Sequence, residues 1–124
     1  SVYQSDATVK WINTIDDSKW YDQIYKILQY SEEIALKMKN GNPILIQCSD
    51  GTDRSSQLSI LAQIIICPYY RTFEGFRVLF DKELFWFGYP FTERLRSSED
   101  ERIPTLIQLL DCINQLTIMF PLSF

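Results

Sequence analysis

From Trp20 onward, apolar residues recur every three or four positions: Trp20, Ile24, Ile27, Leu28, Ile34, Ala35 and Met38. That period predicts an amphipathic helix with one packing face. Asp16, Asp17 and Ser18 offer N-caps and acidic charge at its start. Asn40-Gly41 supplies a left-handed stop. Asp22, Lys26, Glu32, Glu33 and Lys37 read as its solvated side. Upstream, Ser1 to Lys10 shows no clear period; Val9-Lys10-Trp11-Ile12 reads as a short extended or helical piece, with Trp11 a packing residue.

Past the Asn42-Pro43 turn the pattern changes. Ile44-Leu45-Ile46-Gln47 is a short apolar run of strand character. A Gly-containing turn follows, and then Leu58 to Ile66 is apolar nearly all the way round, the mark of a buried helix. Ser55 and Ser56 start that helix, and Cys67-Pro68 ends it. Tyr69 to Thr72 reopens a helical register. Phe73, Phe76, Val78, Leu79, Phe80 and Leu84 then carry an aromatic-rich core face, interrupted by Gly75. Phe85 to Phe91 breaks the period, and Gly88 with Pro90 predicts a turn. Ser97 to Arg102 is polar and charged, hence an exposed loop. Pro104 fits the first turn of a last helix with a stripe of Leu106, Leu109, Leu110, Ile113, Leu116 and Phe120, closed by Pro121.

These elements predict an α/β chain, mostly helical, with one central strand. A strand this apolar wants neighbours on both edges, and one strand makes no sheet. The expectation is therefore a piece of a larger α/β domain, or a chain that borrows strands from a second copy. An exposed strand edge would favour self-association.

Composition narrows the function. The 124 residues are 46% hydrophobic and 15% aromatic, which describes a packed globular piece of one domain. The formal net charge is −4 and no basic stripe occurs, which argues against nucleic acid as a partner and against strong docking on anionic lipid. There is no histidine, so a Ser-His-Asp triad, His acid–base catalysis and Cys/His zinc sites are excluded within this chain. Cys48, Cys67 and Cys112 are odd in number and widely spaced, as expected of free thiols in a reducing compartment. Ser1 to Asp6 shows no signal-peptide pattern, and the apolar run Leu58 to Cys67 is too short to span a membrane.

The chemistry concentrates in Cys48-Ser49-Asp50-Gly51-Thr52-Asp53-Arg54-Ser55. Cys48 stands at the end of the expected strand and Arg54 opens the helix six residues later. Such an order sets a thiol over the backbone N–H groups of a helix N-terminus, where an oxyanion would sit. The same partial positive charge lowers a thiol pKa and makes it nucleophilic at neutral pH. Arg54 can fork onto a phosphate. Together they describe attack of Cys48 on phosphorus and hydrolysis of the cysteinyl-phosphate. The plainer reading is a buried structural thiol beside an ordinary turn.

The string Cys-Ser-Asp-Gly-Thr-Asp-Arg-Ser resembles the signature of the myotubularin family of phosphoinositide 3-phosphatases, which usually reads Cys-Ser-Asp-Gly-Trp-Asp-Arg-Thr. Ser18-Lys19-Trp20, Tyr69 to Thr72, Gly75-Phe76, Asp81-Lys82-Glu83, Phe87-Gly88, Asp111-Cys112 and Phe120-Pro121 extend the likeness from about Trp11 onward. The resemblance implies a protein-tyrosine-phosphatase-like fold. It places the whole of 1–124 in the active-site half of a phosphatase domain, without the PH-GRAM domain or the front of the catalytic domain. It makes Cys48 the nucleophile, Arg54 the phosphate ligand and Asp53 the general acid, although Asp53 could instead only brace the loop or pair with an arginine. Ser49, Asp50, Gly51 and Thr52 would bind substrate, with Asp50 facing the inositol ring. Ser55 would support the Cys48 sulfur, and Arg94 would contact a further headgroup phosphate. No metal or cofactor is implied. The implied substrates are phosphatidylinositol 3-phosphate and phosphatidylinositol 3,5-bisphosphate, met in the cytoplasm on endosomal-type membranes, with peripheral membrane contact through the other domains. Thr52 stands where the family has Trp, Gln47 where His often precedes the cysteine, and Tyr89-Pro90 where His-Arg is usual. Two other readings share these residues: a protein tyrosine or dual-specificity phosphatase, and a pseudophosphatase scaffold that binds lipid or a partner without turnover.

Overall fold

The computed structural model describes residues 2–96 and 104–124, and every regular element among them is helical. Among the described residues six α-helices follow in order: α1 (Val2–Ser18), α2 (Trp20–Lys39), α3 (Asp53–Ile66), α4 (Phe73–Phe80), α5 (Phe91–Arg96) and α6 (Thr105–Met119). The expected α/β architecture with a central strand is thereby corrected. Residues 42–48 have no regular structure. Their burial still alternates as in a strand: Ile44, Ile46 and Cys48 are half-buried, while Leu45 is 86% exposed. A β-ladder needs a second backbone to donate to and accept from, and among the described residues none lies alongside. The segment keeps the side-chain pattern of a strand without its hydrogen bonds.

Helix α1 runs through the stretch up to Lys10 where no period was visible, and Asp16, Asp17 and Ser18, expected at the start of α2, lie in its last turn instead. Ser18 and Lys19 separate it from α2. The Ser18 hydroxyl donates to the Ile15 carbonyl at 2.6 Å and accepts from the Trp20 N–H at 3.3 Å, and Lys19 takes a left-handed φ of 54°. The end of α2 is as its sequence foretold. Gly41, at φ 81°, donates to the Met38 carbonyl, and the Asn42 N–H reaches back to the Lys37 carbonyl, which is the glycine-terminated stop of a helix.

The core lies around α3. Ile60, Leu61 and Ile64 are buried in one cluster with Ile24 of α2, Leu79 of α4 and Leu109, Cys112 and Leu116 of α6, and Ala62 is buried as well. Burial on several faces explains why this helix carries almost no polar side. Polar side chains lock its neighbours. Gln57 donates to the Thr105 carbonyl at 3.1 Å, Gln108 donates to Gln23 at 2.6 Å, and the Trp20 indole donates to Asp111 at 2.6 Å.

Arg71, on a 3₁₀ turn over Pro68–Arg71, donates to the Ile64 and Ile65 carbonyls at 3.0 and 2.7 Å. It thus places a cation at the negative end of α3. Thr72 caps α4 by accepting from the Gly75 N–H at 3.1 Å. Gly75 is buried against Tyr69, and a Cβ there would run into the Tyr69 carbonyl, so the glycine that interrupts the aromatic pattern is a close-packing residue.

Several side chains expected in the core lie outside it. Phe73 is 99% exposed, and Leu110, Met38 and Phe120 are also exposed. After α4 the chain continues through a π-helical turn, Asp81–Trp86, and a reversal at Gly88, whose φ is 73°. The turn expected at Gly88-Pro90 is present. The loop expected over Ser97 to Arg102 lies outside the described residues.

Candidate active site

The candidate site forms where the irregular segment meets the head of α3. Gly51 adopts a left-handed φ of 79°, a conformation that favours a residue without Cβ. The turn it makes brings its own N–H to within 3.2 Å of Cys48 Sγ. Asp53 follows as the first residue of α3, so the unsatisfied N–H groups of a helix start face the end of the loop. The Ser55 hydroxyl, helped by the N–H groups of Ser55, Gly51 and Asp50, holds the half-buried Cys48 thiol below its usual range against a raising effect of burial. Ser55 Oγ is itself buried and makes no complete hydrogen bond to any described residue. It stands near the sulfur as a donor that a thiolate would engage fully.

Asp50 touches the same sulfur. Cys48 Sγ lies 3.7 Å from Asp50 Oδ1, and that oxygen accepts from the Thr52 N–H at 3.1 Å. The Thr52 contact, above all, holds the Asp50 carboxyl below its ordinary range. Asp50 Oδ2 meets Arg94 Nη2 at 3.3 Å.

Asp53 is buried and densely satisfied. Arg94 forks onto it, Nε to Oδ1 at 3.0 Å and Nη2 to Oδ2 at 2.6 Å. The Tyr89 hydroxyl donates to Oδ1 at 3.1 Å and the Thr105 hydroxyl at 3.2 Å. Asp53 raises the Arg94 pKa through this contact. Burial first, and then the Asp53 charge, push the Tyr89 phenol up. Tyr89 and Thr105 were missed as site residues in the sequence. Tyr89 sits in an aromatic run that reads as packing, and only its place beside Gly88, where the family has His, set it apart.

Arg54 stands elsewhere. It is exposed and makes no hydrogen bond or ion pair to the described residues. Its side chain lines a cavity of about 570 Å³ between α2, α3 and α6, with Lys26, Tyr30, Gln57 and Thr105 among its neighbours. Thus Cys48, Asp50, Gly51 and Ser55 are gathered around the sulfur, while Thr52, Asp53 and Arg94 form an adjoining cluster joined to it through Asp50. Ser49 is exposed on the turn. No group of three or more acidic, Cys or His side chains suited to a metal ion occurs among the described residues.

The model of the myotubularin-like phosphatase domain matches residues 1–124. The chain is 36% identical over 120 residues to phosphatidylinositol-3,5-bisphosphate 3-phosphatase MTMR4 of Xenopus laevis, covering 92% of this chain and 11% of that protein. It is 33% identical over 129 aligned positions to myotubularin of Rattus norvegicus, covering 99% of this chain and 21% of that protein. The chain therefore spans between a tenth and about a fifth of the length of these relatives. With the family model matched from end to end and the Cys-x5-Arg string in a loop at the head of a buried helix, the chain belongs to the myotubularin-like phosphatase family.

Proposed function

We propose that this chain carries the catalytic loop of a cysteine-dependent phosphoinositide phosphatase. Its substrates are phosphatidylinositol 3-phosphate and phosphatidylinositol 3,5-bisphosphate, and the bond cleaved is that to the 3-phosphate. One observation carries the reading: a thiol that accepts the Gly51 N–H, faces the Ser55 hydroxyl and sits below the ordinary thiol range at a helix head. A thiol lowered in this way carries more of the thiolate, which is the nucleophilic form.

In the reaction, Cys48 Sγ attacks phosphorus and the bond to the inositol oxygen breaks, leaving a cysteinyl-phosphate and an alkoxide that takes a proton. Water then attacks phosphorus, the S–P bond breaks, and inorganic phosphate leaves with the thiolate restored. Arg54 swings from its exposed position onto the transferred phosphate, and the loop amides stabilise its oxygens. Asp53 is the carboxyl assigned to protonate the leaving oxygen. To do so it must loosen its bonds to Arg94, Tyr89 and Thr105.

That dense bonding favours a second reading, a scaffold that binds the headgroup without turnover, with Asp53 bracing the loop. Phosphate release from short-chain phosphatidylinositol 3-phosphate decides between them, assayed in the full-length protein beside Cys48→Ser and with a phosphotyrosine peptide as control. Turnover of the lipid that is lost in Cys48→Ser is the expected result. Binding of the lipid without turnover would favour the scaffold, and turnover of the peptide alone would make the protein a protein phosphatase.

A further inference from the structure

Asp50 holds a position unlike that of any other residue at the site. Its carboxylate spans the sulfur of Cys48 at 3.7 Å, the Thr52 N–H at 3.1 Å and the Arg94 guanidinium at 3.3 Å. A backbone N–H of the loop and an arginine beside the thiol are the kind of donors that a phosphate would take there. An ionised carboxylate, acceptor-only like phosphate, satisfies both in its absence. The side chain of Asp50 is 52% exposed, so nothing buried has to move for it to rotate outward.

From this geometry, and resting on the reading of the loop as a phosphate site, we infer that Asp50 is an internal anion that occupies the phosphate position of the free protein. Phosphate and Asp50 compete for the same donors. Binding swings the carboxylate away from the sulfur and turns the Arg94 Nη2 donor from Asp50 to the phosphate, while Asp53 keeps its grip on the guanidinium.

The test uses inorganic phosphate as the probe. Iodoacetamide alkylates Cys48, and its rate is read by peptide mass spectrometry over a phosphate titration, with Cys112 as the internal unreactive thiol. Asp50→Asn keeps an acceptor for the Thr52 N–H but removes the charge; Asp50→Ser removes the charge with a smaller side chain and guards against a turn altered by the amide. The phosphate concentration that halves the alkylation rate is expected to fall roughly two- to fivefold in both variants, the scale of one exposed charge interaction. An unchanged or higher concentration in both variants, with clear protection in the parent, would overturn the inference and leave the phosphate site standing. No protection in parent and variants alike would overturn both.

Discussion

At the scale of single residues, the site is a set of donors aimed at a sulfur and at two carboxylates. Ser55 is the first cause of the lowered Cys48 pKa. Ser55→Ala should therefore raise that pKa and slow iodoacetamide alkylation of Cys48 at neutral pH, because less thiolate is present; the pH dependence of the alkylation rate measures it. Cys112 offers the contrast. It is fully buried in the core, and burial pushes its thiol up to about 12. In the native protein it should stay unmodified at pH 8 while Cys48 reacts, and become reactive only as denaturant unfolds the chain. Tyr89→Phe keeps the ring packed edge-on against Phe91 and removes one of the bonds to Asp53. A loss of about 0.5–1.5 kcal/mol in urea unfolding is expected, the net worth of one hydrogen bond.

Elements hold these residues in place, and their energetics are those of packing. Helix α3 presents the loop at one end and is gripped by Arg71 at the other. Leu61 is wholly buried near its middle. Leu61→Ala should cost about 2–5 kcal/mol, transfer and cavity together, and disturb the loop that this helix carries. Gly75→Ala places a methyl against the Tyr69 carbonyl. It should destabilise by about 1–3 kcal/mol, as overpacking does, and a drop in melting temperature would report it. Both glycine and leucine were visible as elements of pattern. That the glycine serves a close approach was not, because a pattern shows which residues interrupt a period and not what lies opposite.

At the scale of the whole molecule, the apolar surface is large. Leu45, Phe73, Trp86, Phe87 and Leu122 are each at least 74% exposed. Exposed patches of this kind mark contact surfaces or association hazards. The 124-residue chain by itself should associate at micromolar concentrations, and a Leu45→Lys, Trp86→Lys double variant should shift it toward monomer in analytical ultracentrifugation.

The local pattern of this protein was sufficient for α2, α3 and α6 and for their stops, and it singled out the string from Cys48 to Ser55. Period and punctuation foretold α2 with its Gly41 stop, the buried α3 ending before Pro68, and a last helix beginning beside Pro104, which precedes its first residue, Thr105. They also isolated the Cys48-to-Ser55 string, because helix starts, left-handed glycines and nucleophile spacing are encoded within a few residues. Tertiary structure alone decided the rest. Whether Ile44 to Gln47 joins a sheet depends on a second backbone, which no local pattern contains, and here the described residues provide none. Which cation meets Asp53 was likewise settled by folding: Arg54 is its neighbour in sequence, but Arg94, 41 positions on, is brought to it by the turn at Gly88 and by α5. Local interactions are written in adjacent residues, whereas pairings across the chain exist only once packing has paid the entropy of bringing their elements together.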